Sequence, residues 1–165
     1  MNFEIYDDFL TEYQANTLEN ALIKSDFPWY YHNNLNGKNK IGNFYFNHTL
    51  IEDGINHSDF TPLFSCILSK LKINQSKILR LKANLYPRTQ LRVHHHSHTD
   101  YENGGEKFTV LYYVNTNNGY TIIDGKKKIK SKKNRILIFD GSVPHHSTTC
   151  TDVNCRFTVN FSCFL

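Results

Sequence analysis

The sequence predicts a mainly β domain with two N-terminal helices packed on a sandwich or barrel. Three observations predict it. Ten Tyr and twelve Phe against one Met and one Trp supply side chains that pack well on pleated surfaces. The apolar pattern changes from a helical period to a period of two near Ile78. Beyond that point short strands alternate with tight-turn signals, of which Asp124-Gly125 is the strongest.

The first helix starts at Thr11. Thr11-Glu12-Tyr13-Gln14 fits a capping box, and Leu18, Ala21 and Leu22 fall on one stripe. A second helix starts near Pro62, with Thr61 as N-cap, Pro at the first helical position and Leu63, Ile67 and Leu71 on the apolar face. Between them, Phe27–Tyr31 and Phe44–Phe46 read as short strands around a polar loop. Leu79–Tyr86 alternates, with Arg80, Lys82, Asn84 and Tyr86 on one face and apolar residues on the other. Strands are then expected at Leu91–His95, Phe108–Val114, Tyr120–Ile123, Arg135–Phe139 and Arg156–Phe164. The 165 residues suit one domain, with 1–77 as N-terminal support and 78–165 as the strand-rich core.

Composition excludes several classes. Hydrophobic residues at 39% are enough for a folded core rather than a disordered chain. There is no apolar run of membrane-spanning length and no signal-peptide pattern at Met1–Asp8, which predicts a cytoplasmic protein without a membrane partner. Cys66, Cys150, Cys155 and Cys163 form no Cys-x-x-Cys pair, so reduced thiols are expected. The net charge of +4 gathers in the lysine run 126–133. Such a run either binds phosphate or keeps an edge strand from pairing with other chains, and the lack of interleaved aromatics argues against nucleic acid.

Three segments carry chemistry: His98-Thr99-Asp100, Pro144-His145-His146 and Arg156-Phe157-Thr158. On a strand, residues i and i+2 point to one side, so His98 and Asp100 can converge. With one distant histidine they make two imidazoles and a carboxylate, the facial triad of non-haem Fe(II) oxygenases. His94, His95 and His96 crowd the same stretch, and a zinc site of clustered histidines is the competing reading. Only His98 has an acid two residues on. Arg156 and Thr158 share a strand face opposite Phe157, Val159, Phe161 and Cys163. An inward Arg there can hold a carboxylate in a fork, with the Thr hydroxyl in support, or it can pair with an acidic neighbour.

The order Tyr86, His98-x-Asp100, Tyr113, His145, Arg156-x-Thr158 resembles the prolyl-hydroxylase-like branch of the 2-oxoglutarate and Fe(II)-dependent dioxygenases. The resemblance covers residues 78–165 and includes Leu111–Asn115 and Asn134–Asp140. The compact form is similar to phage-encoded members, which would place the protein in a host cytoplasm. The resemblance implies a double-stranded β-helix, or jelly roll, with the two N-terminal helices packed on it. It implies iron on His98, Asp100 and His145, where His145 is chosen over His146 because it directly follows Pro144. It also implies 2-oxoglutarate held by Arg156 and Thr158, with Tyr86 and Tyr113 at positions whose hydroxyls bond the co-substrate.

O₂ would be the second co-substrate and the product an oxidised C–H, most simply a hydroxylated protein side chain such as proline. The substrate would be a protein or a small molecule. A nucleic-acid dealkylase of the same superfamily is disfavoured because no second Arg follows Arg156 on the last strand. A non-catalytic jelly-roll binding module and a zinc hydrolase are the remaining alternatives. Tyr101–Lys107, with Gly104 and Gly105, reads either as a mobile lid or as an ordinary strand connection. Trp29–Tyr31 either lines a pocket mouth or packs beneath the first helix.

Overall fold

The computed structural model describes residues 3–24, 26–33, 44–102 and 106–164. The glycine pair of the expected lid falls within 103–105, outside the described residues. The strands, in chain order, are β1 (Phe3–Tyr6), β2 (Tyr30–His32), β3 (Tyr45–Glu52), β4 (Ile55–Asn56), β5 (Ile78–Pro87), β6 (Lys107–Tyr113), β7 (Tyr120–Ile123), β8 (Lys127–Lys130), β9 (Arg135–Asp140), β10 (His145–Ser147) and β11 (Cys155–Phe164). The helices are α1 (Glu12–Ile23) and α2 (Ser65–Leu71).

Two sheets face each other. The larger has the order β1-β9-β6-β11-β5-β3-β2, with β4 added to β3, and the smaller has the order β10-β7-β8. All their pairings are antiparallel. The alternation on β11 explains the layering. Phe157, Val159, Phe161 and Cys163 turn outward into a core shared with Leu18, Leu22, Phe64 and Ile67 of the helical layer. Arg156, Thr158, Asn160 and Ser162 turn toward the smaller sheet. A second core, with Leu111, Ile123, Ile129, Leu137 and Phe139, closes part of the space between the sheets. The rest of that space is polar.

The capping box of α1 forms as expected: Thr11 Oγ1 accepts from Gln14 N, and the Gln14 side chain accepts from Thr11 N. Its buried stripe is Ala15, Leu18 and Leu22, one turn earlier than the expected Ala21. The second helix differs. A 3-10 turn over Thr61–Phe64 precedes α2, and Thr61 is no cap; its buried hydroxyl bonds Leu50 O and Asn56 Oδ1 instead. A long-range partner outcompetes the local one. Trp29 lies under α1, its Nε1 donating to Leu22 O and its ring against Phe157.

Leu91–His95 is no strand. Leu91 is exposed, and the segment forms only the isolated bridge His94–Thr148, with a second bridge, His98–His145, following it. After Val93 no apolar alternation exists to hold a longer register. The turn between β7 and β8 has left-handed backbone at both Asp124 (φ 51°) and Gly125 (φ 65°), as hairpin twist demands. β8 is the edge of its sheet; Lys127, Lys128 and Lys130 are exposed and only Ile129 is buried. Among the described residues no helix is long and apolar enough to cross a membrane.

Candidate active site

The polar space between the sheets is a cavity of about 320 Å³. β5 and β11 build its floor. Their register sets Tyr86 opposite Arg156, Asn84 opposite Thr158, Lys82 opposite Asn160 and Arg80 opposite Ser162. All of these but Ser162 line the floor, because the period-two pattern turns the apolar residues of both strands to the helical layer.

At one end His98, Asp100 and His145 offer ligand atoms that all lie within 4.8 Å of one another. His98 Nε2 is 3.9 Å from Asp100 Oδ1, and His145 Nε2 is 3.8 Å from Asp100 Oδ2. The expected convergence of His98 and Asp100 occurs, but not by strand parity. Asp100 sits in a bend, fixed by its backbone N–H to Gly141 O. Gly141 has no room for a side chain there, since a Cβ would stand 2.7 Å from the Tyr101 ring. His145 heads β10 and reaches His98 through paired backbone bonds. His146 also lines the cavity but stands outside the cluster, its ring 5.8 Å from that of His94.

The surroundings fix the chemistry of the three groups. Each imidazole donates its Nδ1–H to a backbone carbonyl two residues back, His98 to His96 O and His145 to Val143 O. That tautomer leaves the lone pair on Nε2, where a metal ligand needs it. Burial and the neighbouring His145 push the His98 pKa down, which keeps the ring neutral. Asp100 accepts from Thr109 Oγ1 and from Arg80 at 3.3 Å. Two neutral imidazoles and an oriented carboxylate at this spacing fit a divalent transition metal with open positions. Among the described residues no other His, Cys, Asp or Glu group has that geometry, and the histidine-rich stretch builds no second cluster.

At the other end Arg156 is 0% exposed, yet no carboxylate is paired with it among the described residues. Its Nε donates to Ser131 Oγ, and its two terminal nitrogens donate to Thr148 O and Thr121 Oγ1. The guanidinium carbon stands 5.4 Å from the Tyr86 ring centre and 5.8 Å from that of Tyr113. Burying an uncompensated guanidinium costs several kcal/mol in a typical protein interior, on the order of what a matched anion would return. Thr158 and Tyr86 line the same cavity. The Tyr113 hydroxyl donates to Thr121 Oγ1 rather than into the cavity, so Tyr113 touches the far end through Thr121 and its own ring. Gly119 makes the guanidinium's place possible: a Cβ there would meet Arg156 Cδ at 2.8 Å.

Lys82, Asn84, Thr109, Thr121 and Asn160 also line the cavity, and the sequence reading assigned none of them a role. The signal was present in part. A polar residue inside an apolar strand, such as Thr109 in Phe-Thr-Val or Thr121 in Tyr-Thr-Ile, needs an inward partner.

No family model matches this chain, and no curated relative does. Solved structures do. A prolyl hydroxylase from Trichoplax adhaerens, in complex with a hypoxia inducible factor oxygen degradation domain peptide, is 18% identical, with 98% of this chain and 83% of that one covered at a TM-score of 0.64. The viral collagen prolyl hydroxylase of Paramecium Bursaria Chlorella virus-1, in its 2-oxoglutarate complex, is 14% identical over 98% of this chain and 95% of that one, with a TM-score of 0.62. An oxidoreductase of the 2-oxoglutarate-Fe(II) oxygenase family from Burkholderia pseudomallei is 12% identical over 98% and 84%, with a TM-score of 0.67. The chain therefore has the jelly-roll fold of these oxygenases, with two N-terminal helices packed on it, as the sequence led us to expect.

Proposed function

We propose that the chain is a 2-oxoglutarate- and O₂-dependent Fe(II) dioxygenase that oxidises an unactivated C–H bond. One observation carries the reading: a fully buried Arg156, with no carboxylate paired to it among the described residues, shares a cavity with a two-histidine, one-carboxylate cluster. A zinc hydrolase has no use for the guanidinium, and a binding module has no use for the tautomer-fixed imidazoles.

His98, Asp100 and His145 would hold the iron. Fe(II) with 2-oxoglutarate and O₂ supplies the oxidising power, in which the co-substrate is decarboxylated to succinate and CO₂ as one oxygen enters the substrate. Arg156 grips the far carboxylate of 2-oxoglutarate, with Thr158 and Tyr86 as supporting hydroxyls. Thr109 and Arg80 hold Asp100 in one rotamer. Phe139, edge-on to His145 at 4.8 Å, and Leu111 keep the metal end dry. Two of the similar structures are named as prolyl hydroxylases, which supports a protein side chain such as proline as the substrate.

Anaerobic addition of Fe(II) and 2-oxoglutarate should produce a metal-to-ligand charge-transfer band. On admission of O₂, succinate should form. Ala in place of His98 or Asp100 should remove both signals. Near-full succinate production in either variant would sink the assignment.

A further inference from the structure

The cavity holds a second cation that has no ion-pair partner among the described residues. Lys82 projects from β5 onto the floor between Asn84, on its own strand, and Asn160, opposite it on β11. The cavity's ion pairs are Arg80–Asp100, His98–Asp100 and His145–Asp100, and none includes Lys82. Burial draws the Lys82 ammonium down to about 8, with Arg80 pressing the same way and Asp100 opposing. Beside it, Asn84 Oδ1 and Asn160 Oδ1 are buried without a hydrogen-bond partner. Buried acceptors normally have a donor, so these two amide oxygens call for an N–H or O–H of a ligand or water beside the group that pairs with Lys82.

Charge counting points the same way. Arg80, Lys82 and Arg156 line the cavity, and Asp100 is its one carboxylate among the described residues. Arg80 already uses Asp100. A dicarboxylate and a divalent metal together add no net charge, so the positive excess persists when both are bound. Nor are Lys82 and Arg156 one site. The four-residue offset in the β5–β11 register separates their backbone positions by about 13 Å along the strands.

We propose that Lys82, flanked by Asn84 and Asn160, is a second carboxylate-binding subsite of this cavity, distinct from Arg156. The proposal rests on the oxygenase reading in one respect, that Arg156 is taken up by the far carboxylate of 2-oxoglutarate. The carboxylate at Lys82 comes from one of two sources: the primary substrate, or the metal-side end of the co-substrate.

Isothermal titration of the full chain with Mn(II), without O₂, separates them. 2-Oxoglutarate is titrated first, and acetate is then titrated into the saturated protein. If the co-substrate is the source, Lys82→Met weakens 2-oxoglutarate by about tenfold or more, the worth of a hydrogen bond to a charged group. If another molecule is the source, Lys82→Met keeps 2-oxoglutarate within about twofold, the scatter of uncoupled sites, and removes the acetate binding seen in the wild type. Lys82→Arg keeps the cation and should retain wild-type behaviour in either case, which separates charge from folding. A wild type that binds 2-oxoglutarate while Lys82→Met alters neither titration overturns the subsite and leaves the oxygenase reading intact. A wild type that binds no 2-oxoglutarate sinks the oxygenase reading instead. Acetate titrated directly into the Mn(II) protein then decides the subsite, through its loss or persistence in Lys82→Met.

Discussion

Arg156 sets two properties of the protein against each other. Its guanidinium is desolvated, and burial lowers its pKa despite the hydroxyls and carbonyl around it. Without an anion it is a cost to the fold; with one it is a grip. Arg156→Met should therefore leave the ligand-free Tm no lower than wild type, while 2-oxoglutarate affinity falls about a hundredfold or more, as when one partner of a buried pair is removed. Thermal unfolding and anaerobic titration measure the two effects. A large drop in ligand-free Tm with unchanged affinity would make Arg156 a structural residue. At this scale the convergence of His98, Asp100 and His145 and the inward turn of Arg156 were legible, because few residue types would be placed together there without a shared partner. Gly119 was not legible. Its reason is the bulk of Arg156 Cδ, a neighbour that sequence spacing does not reveal.

Among the elements, those with local causes were readable. The capping box of α1 needs only Thr11 and Gln14, and polar and apolar residues alternate over 79–86 of β5 and 156–162 of β11. The lysines of β8 guard an edge, as one of their two readings holds. β1 was missed, because four residues starting at Phe3 carry no pattern of their own and form a strand only against β9. What fastens β1 lies just beyond it. Asp7 Oδ1 accepts from Arg135 Nε at 2.6 Å, and Asp7 Oδ2 accepts from Arg135 at 3.0 Å and from Lys132 at 3.1 Å. The Arg135 bond chiefly lowers the Asp7 carboxyl to about 2. A carboxyl depressed on folding contributes stability above its unfolded pKa of 3.8, and that stability is lost as pH falls toward 2. The pair is half-exposed, so solvent screening keeps the effect local. Asp7→Asn should speed hydrogen exchange in β1 at neutral pH and shift Tm by less than about 3 °C, and its difference from wild type should fade as pH falls from 3.8 to about 2. Equal β1 protection in the two proteins would show that the clasp does no work.

For the whole molecule, the histidines decide how it meets acid and metal. Burial holds His95 down to about 3, and lowers His48 and His146 as well. A histidine buried neutral has a folded pKa below its unfolded 6.5, so the unfolded chain takes up the proton first. For His95 the stability is complete above that value and drains away as pH falls from about 6.5 toward 3, at roughly 1.4 kcal/mol per pH unit. A ligating metal demands the same neutral imidazoles and competes with the same protons. Mn(II) at a hundred times its Kd adds about 2.7 kcal/mol to the folded state, a Tm rise of about 5–10 °C for a domain of this size. That increment should hold from pH 7.5 to 5.5, shrink only as pH nears about 4, and vanish in His98→Ala throughout, whereas the acid slope of the metal-free protein should flatten in His95→Gln. Scanning calorimetry across pH, with and without Mn(II), separates the two contributions. A metal increment that survives His98→Ala would place the ion elsewhere in the molecule and detach it from the cavity.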